Sequence, residues 1–328
     1  MDISYATPTT LDSPEHVAMA EALGYRRAWF YDTPQQSPDV WMMLALAAER
    51  TERIGLGPGD LVPSLRHPMV NAAATAALEA LAPGRVAVAF GTGFTGRRAM
   101  GVPRPIKWSY MERYIRAYRA LLRGETIEWE GARMRMLHQP GHAAPRPVEV
   151  PVLIGAQGPM GRSVATELAD GVFTVAAVPD FAKEFAWVPH LCWGTVLDDG
   201  ESPDSDRVRV AGGPGTVVAL HGVYEYNGPV AEMPCGAAWL AEIERVPEGE
   251  RHLVVHEQHC VGLNAADEAA WDGGAHALLK AVTVSGTRDE VRERLETLAE
   301  QGATEIVYQP AGPDIRRELE TFMEAASS

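Results

Sequence analysis

Cysteine is scarce in this chain: only Cys192, Cys235 and Cys260 occur, and no two form a CxxC pair. A disulfide framework and a cysteine knuckle for zinc are thereby excluded. Positive charge is also in short supply, with 29 Lys and Arg against 44 Asp and Glu, a formal net charge of −15. A nucleic-acid scaffold needs surplus cations to neutralise phosphates, so that class is excluded too. No apolar run reaches the roughly 18 residues of a membrane span. The opening MDISYATPTT has an acidic second residue and no basic stretch, unlike a secretion signal. What is present is ordinary globular material, 46% hydrophobic and 22% charged over 328 residues. That length suits one large α/β domain or two smaller ones. The composition points to a soluble, cytoplasmic, acidic globular enzyme, with no nucleic-acid or membrane partner.

Short apolar runs alternate with helical patterns. Strands are expected at residues 3–7, 28–31, 54–56, 86–90, 151–155, 172–178, 253–255 and 305–308. The run at 86–90 is apolar throughout, as in parallel strands buried on both faces. Between the strands, Ser13-Pro14-Glu15 reads as a helix start and Gly24 as its stop. Met111, Tyr114, Ile115, Tyr118, Leu121 and Leu122 form a helical stripe ending at Gly124. Thr287 followed by Glu290 is a capping-box pattern opening a helix that runs to Gly302. Residues 126–150 read as an added hairpin and loop, with the turn near Glu130-Gly131. Residues of about 180–272 lose the rhythm and read as a helical insertion. Eight strand–helix units starting with a strand fit a single (β/α)8 TIM barrel with insertions over 1–328; a doubly wound sheet is the competing arrangement.

Several segments taken together resemble the bacterial-luciferase-like superfamily. These are Arg53-Ile54-Gly55-Leu56-Gly57-Pro58-Gly59-Asp60 with Arg66-His67-Pro68, then Phe90-Gly91-Thr92-Gly93-Phe94-Thr95-Gly96. At the C-terminal end, Ser285-Gly286-Thr287-Arg288 and Glu305-Ile306-Val307-Tyr308 continue the match. The resemblance covers about residues 1–178 and 280–328. The chain is most similar to the deazaflavin-dependent branch, which includes methylene-tetrahydromethanopterin reductase. The resemblance implies the barrel and coenzyme F420 (8-hydroxy-5-deazaflavin), with FMN as the alternative. It also implies a homodimer, and a non-prolyl cis peptide at Gly59–Asp60 beneath the cofactor ring. Where many relatives carry an apolar residue, this chain has Asp60, so the role of that side chain stands open between a site group and a solvated loop carboxylate.

Barrel sites gather at strand C-termini, which groups Ala6, Asp32, Asp60, Gly91, Gly93, Ala156 and Gln157 at one mouth. Gly91, Thr92 and Gly93 either let a planar ring approach or serve the turn into the next helix. Gln157, Gly158, Met160, Gly161 and Arg162 open a helix, where free N–H groups suit a phosphate; an ordinary turn is the alternative. His67 sits either near the cofactor or in a loop. Arg97 and Arg98 either meet an anionic cofactor tail or start a solvated helix. Trp41, Phe94, Trp108 and Trp193 either wall a substrate pocket or pack in the core. For proton handling the candidates are Asp32, at the end of the second strand, and the segment containing His256, Glu257 and His259. Asp32 can instead cap its loop, and the His segment can be a structural polar strand end. The two histidines lie i, i+3, not in HExxH spacing, so no metal is expected. The functions compatible with these residues are a deazaflavin-dependent oxidoreductase, first as a reductase; an FMN-dependent monooxygenase; and a non-catalytic binding or assembly subunit.

Overall fold

The computed structural model describes residues 1–327. Ten strands occur in chain order: β1 (Asp2–Thr7), β2 (Arg27–Phe30), β3 (Gly55–Pro58), β4 (Val88–Phe90), β5 (Ile127–Trp129), β6 (Ala132–Met134), β7 (Val152–Gly155), β8 (Gly171–Val175), β9 (Pro189–Trp193) and β10 (Glu305–Gln309). Eight of them form one parallel sheet in the order β3-β2-β1-β10-β9-β8-β7-β4. Its two ends meet through parallel bridges Leu56–Val86 and Leu61–Phe90. The amide of Ala87 reaches the Leu56 carbonyl at 3.1 Å, and that of Leu61 reaches Ala89 at 2.8 Å. The sheet is thus nearly closed into a (β/α)8 barrel.

Strand alternation sorts the side chains into two cores. One set, including Ala6, Trp29, Ala87, Ala89, Leu153, Phe173 and Val307, packs together inside the barrel. The other lies between the strands and the surrounding helices and includes Tyr5, Phe30, Leu56, Phe90 and Ile154. At the barrel's lower end Glu305 accepts from Trp29 Nε1 at 3.0 Å and from Trp187 Nε1 at 2.7 Å, so the buried carboxylate is satisfied.

The expected local signals have physical counterparts. The stripe from Met111 to Leu122 is buried along the helix Trp108–Leu122. The capping box at Thr287 and Glu290 starts the helix Arg288–Gln301, and Gly302 ends it with φ +116°. Glu130 and Gly131, both at positive φ, turn the antiparallel β5–β6 hairpin. At the first helix, the expected cap Ser13 is instead the first residue of Ser13–Ala22, and its hydroxyl accepts from the Thr10 amide.

One strand differs from expectation. Residues 253–255 belong to the helix Arg251–His256, and the seventh barrel strand is β9. A three-residue apolar run suits a strand or a buried helical turn equally, whereas Pro189-His190-Leu191-Cys192-Trp193 mixes proline and histidine into its strand. Between β9 and β10 the helices Asp206–Glu225, Gly236–Glu244, Arg251–His256 and Ala265–Asp272 form a layer with its own small core around Leu220, Trp239, Ile243 and Val255. Among the described residues no helix is long and apolar enough to cross a membrane.

Candidate functional site

The C-terminal ends of the strands form one mouth, and its ring of groups follows from the strand register. Gln309 ends β10, and its Oε1 accepts from Tyr31 Oη at 2.8 Å and from Trp193 Nε1 at 2.7 Å. Its Nε2 donates to the Cys260 carbonyl at 2.6 Å. One amide therefore ties β2, β9 and the helical layer together. Gln36, in the loop after β2, anchors the same layer by donating to the His256 carbonyl at 2.6 Å. Ala6 is buried beside Trp29 in the barrel interior.

The loop after β3 carries Gly59–Asp60, and this non-prolyl peptide is cis. Trp29 lies against Gly59, leaving 2.9 Å to where a Cβ would be. The Asp60 carboxylate sits between the ends of β4 and β7. Its Oδ2 is 2.5 Å from where a Cβ would stand on Gly91, and equally 2.5 Å from one on Gly155. These two glycines make room for this chain's own carboxylate. Part of Asp60 opens to the mouth, yet its Oδ1 is buried and has no hydrogen-bond partner. With no cation to offset desolvation, burial pushes the carboxyl up to about 7.

Gly93 adopts φ +78° as the residue preceding the short helix Phe94–Arg98, and a Cβ there would strike Val62, so it serves the turn. Thr92 accepts from the Ile106 amide through its carbonyl at 2.9 Å. Ala156 is buried after β7, while Gln157 is exposed and donates to the Val175 carbonyl at 2.9 Å, joining the ends of β7 and β8. The helix Pro159–Leu168 starts at Gly158 without a side-chain cap. Its first-turn amides are an anion site in kind. Gly161 is packed against Trp108 and Ala156, and Met160 is 69% exposed. Arg162 stands on the surface, paired with Glu184 at 2.7 and 3.0 Å.

Asp32 is almost fully buried, and both its oxygens are held by Arg66 Nη1, at 2.5 and 2.6 Å. Arg66 also reaches Asp39 at 2.7 Å, and the Val62 amide donates weakly to Asp32 at 3.4 Å. Burial outweighs the guanidinium and raises the Asp32 carboxyl above its ordinary range. The group fastens the loop after β2 to the loop after β3. His67 accepts from the Met69 amide through Nδ1 at 3.1 Å, capping the helix Pro68–Leu81, and packs edge-on against Trp129 of the hairpin.

In the helical layer, His256 Nε2 meets Glu225 at 3.1 Å, and Glu225 is also paired with Arg98. His259 and His221 approach through their Nδ1 atoms at 2.8 Å, and His221 Nε2 lies 2.8 Å from Asp267. Burial, then the neighbouring His221 and His256, lower the His259 pKa well below its usual value. Glu257 is exposed. Arg97 donates to the Arg104 carbonyl and to the Ser64 hydroxyl, and Arg98 is paired with Glu225. Phe94 stacks on Tyr226 at 4.5 Å under Arg98, and Trp41 donates to Asn71 at 3.0 Å. Among the described residues no cluster of three or more His, Cys, Asp or Glu side chains is arranged to hold a metal ion.

Arg66, Gln309 and Tyr31 are the structural members of this mouth that residue pattern alone did not single out. Arg66 lies within a quoted stretch and Gln309 directly follows one, but their partners are 34 and 278 residues away.

The (β/α)8 barrel, its non-prolyl cis peptide after the third strand and the small residues around its mouth are the features that the resemblance to the luciferase-like superfamily implies. Residues 3–192 match the family model described as luciferase-like monooxygenase, and the chain belongs to that family. Among its relatives is the 5,10-methylenetetrahydromethanopterin reductase of Archaeoglobus fulgidus, 28% identical over 93% of this chain and 91% of that one. Another is an F420-dependent glucose-6-phosphate dehydrogenase of Beutenbergia cavernae, 27% identical over 94% and 90% of the two chains. The solved F420-dependent tetrahydromethanopterin reductase of Methanopyrus kandleri superposes with a TM-score of 0.68 at 18% identity, covering 100% of this chain and 99% of that one. The match runs through the helical layer as well as the early strands.

Proposed function

We propose that this protein is a coenzyme F420-dependent oxidoreductase that moves a hydride between the deazaflavin and a small organic substrate, acting as a reductase. The observation that carries the reading is the mouth itself. Small residues, Ala6, Gly59, Gly91, Gly155 and Ala156, surround Asp60 at the strand ends, and this reading places a planar ring over that carboxyl. The uncapped amides after Gly158 suit the phosphate of the same molecule. Full-length similarity to F420-dependent reductases and dehydrogenases supports this over the FMN monooxygenase reading. When bound, the deazaflavin supplies a two-electron hydride carrier whose reactive position is carbon, which does not readily activate oxygen.

The chain's residues then divide the remaining work. Gly59, Asp60, Gly91, Thr92 and Gly93 shape the floor. Gln157, Gly158, Met160, Gly161 and Arg162 receive the phosphate, with Arg162 turning from Glu184. Asp32 positions the loops through Arg66, so proton handling falls to Asp60 and to the segment of His256 and His259, which Gln36 and Gln309 hold against the mouth. Glu257, exposed, stands at the edge of that segment. The protein is read as a homodimer, as the family resemblance implies; sedimentation of the purified protein as a monomer overturns that assignment.

The reaction is tested by anaerobic turnover of reduced coenzyme F420 with unsaturated organic acceptors, followed by the return of the oxidised cofactor's absorbance. Turnover that requires oxygen and reduced FMN overturns the proposal.

A further inference from the structure

Asp60 is placed where the cofactor reading puts a charged ring, yet among the described residues none neutralises it. Its Oδ1 is enclosed and unpartnered, and its Oδ2 fills the space above Gly91 and Gly155. Among the described residues no cation pairs with it; Arg97, past the end of β4, is turned to the Arg104 carbonyl and Ser64. From β2 the titratable group is Tyr31, whose hydroxyl is committed to Gln309. The ends of β4 and β7 present Gly91, Thr92, Gly155 and Ala156, none of which titrates. From β8, Phe173 packs beside Gly59. Asp32 and Arg66, on the adjoining loops, neutralise each other.

Coenzyme F420 carries an acidic 8-hydroxyl, so its oxidised ring is itself anionic around neutral pH. Two like charges pressed together away from water cannot both persist; the one with the easier proton takes it up. Resting on the deazaflavin reading above, we propose that Asp60 binds one proton from solvent as the oxidised cofactor docks, so that this carboxyl sets the charge the mouth will accept. The only bond formed is the carboxyl O–H, and no electrons move. Neutral Asp60 admits the ring and gains a donor in place of a charge. Ionised Asp60 repels it.

The free carboxyl titrates at about 7, so the proton must be acquired above that pH. Linkage then sets the sign: affinity for oxidised cofactor falls as pH rises, by about tenfold per unit between roughly pH 7 and 9. Calorimetry at about pH 8, in two buffers of different ionisation enthalpy, should show close to one proton taken up per cofactor bound. Cofactor fluorescence should give a dissociation constant that rises with pH in the wild type and is flat in Asp60→Asn. No net proton uptake by the wild type, or the same pH slope in the variant, overturns the proposal. If the variant does not fold, infrared spectra of ¹³C-aspartate wild-type protein decide: a carboxylic-acid C=O band appearing on binding supports the proposal, and its absence overturns it. Failure of the wild type to bind F420 at any pH overturns the cofactor reading instead.

Discussion

Replacing Arg66 by alanine tests how the mouth is held together. The Arg66 side chain is 12% exposed and that of Asp32 is 1% exposed, so their ion pair is largely withdrawn from water. Removing the guanidinium leaves Asp32 with only the long contact to the Val62 amide at 3.4 Å. Breaking a buried pair in this way costs about 3–5 kcal/mol, because a charge is stranded rather than because the pair itself was worth that much. The pH dependence follows from the direction of the Asp32 shift. Burial already raises this carboxyl, and losing Arg66 raises it further. A folded-state pKa above the unfolded one means the penalty is absent at low pH and grows as pH rises through the folded value. Urea titrations at about pH 8 should therefore show the full loss, and at about pH 5 a smaller one, with unchanged slopes. The double variant Asp32→Leu/Arg66→Met should recover most of the loss. A deficit under about 1 kcal/mol at the higher pH, or one equal at both, would refute this reasoning.

Three further outcomes follow from the same geometry. Gly155→Ala should cost about 1–3 kcal/mol through collision with Asp60, and Asp60→Gly in the same chain should cancel most of that cost in a double-mutant cycle; additive effects would show that the carboxylate lies elsewhere. His190 is buried against Thr174 and its pKa is lowered to about 4, so its contribution is present above the ordinary value of 6.5 and is lost as pH falls towards 4. That amounts to about 3 kcal/mol of acid destabilisation, which His190→Gln should flatten in pH-resolved denaturation. Arg162→Ala should weaken cofactor binding by about 1–3 kcal/mol, and Glu184→Gln, which frees the same arginine, should strengthen it; unchanged binding constants in both would leave Arg162 a surface ion pair alone.

Repeating local signals made much of the barrel legible in the sequence. A capping box, a left-handed turn pair or a six-residue apolar stripe is decided within one helix or one hairpin, so Thr287, Glu130 and the Met111–Leu122 residues speak for themselves. The strand β9 was hidden because Pro189 and His190 break its apolar run, and its partners β8 and β10 supply what its own residues lack. The candidate site was legible as positions but not as pairings. Asp32 reads as a free carboxylate until Arg66 is brought to it from the next loop, and Arg162 as a free cation until Glu184 meets it. Gly91 reads as space for a ligand, and the packing puts the Asp60 carboxylate beside it. In each case the deciding neighbour comes from another strand end, which one-dimensional pattern does not encode.

The cofactor is the claim on which the functional account turns, and competition between the two candidates tests it most directly. Purified protein freed of bound small molecules is titrated at about pH 7 with oxidised coenzyme F420 and, separately, with FMN, and binding is followed by cofactor fluorescence. The expected result is saturable one-to-one binding of F420 per chain, with a dissociation constant at least about tenfold below that for FMN, a difference of about 1.4 kcal/mol. Tighter binding of FMN than of F420 would contradict it.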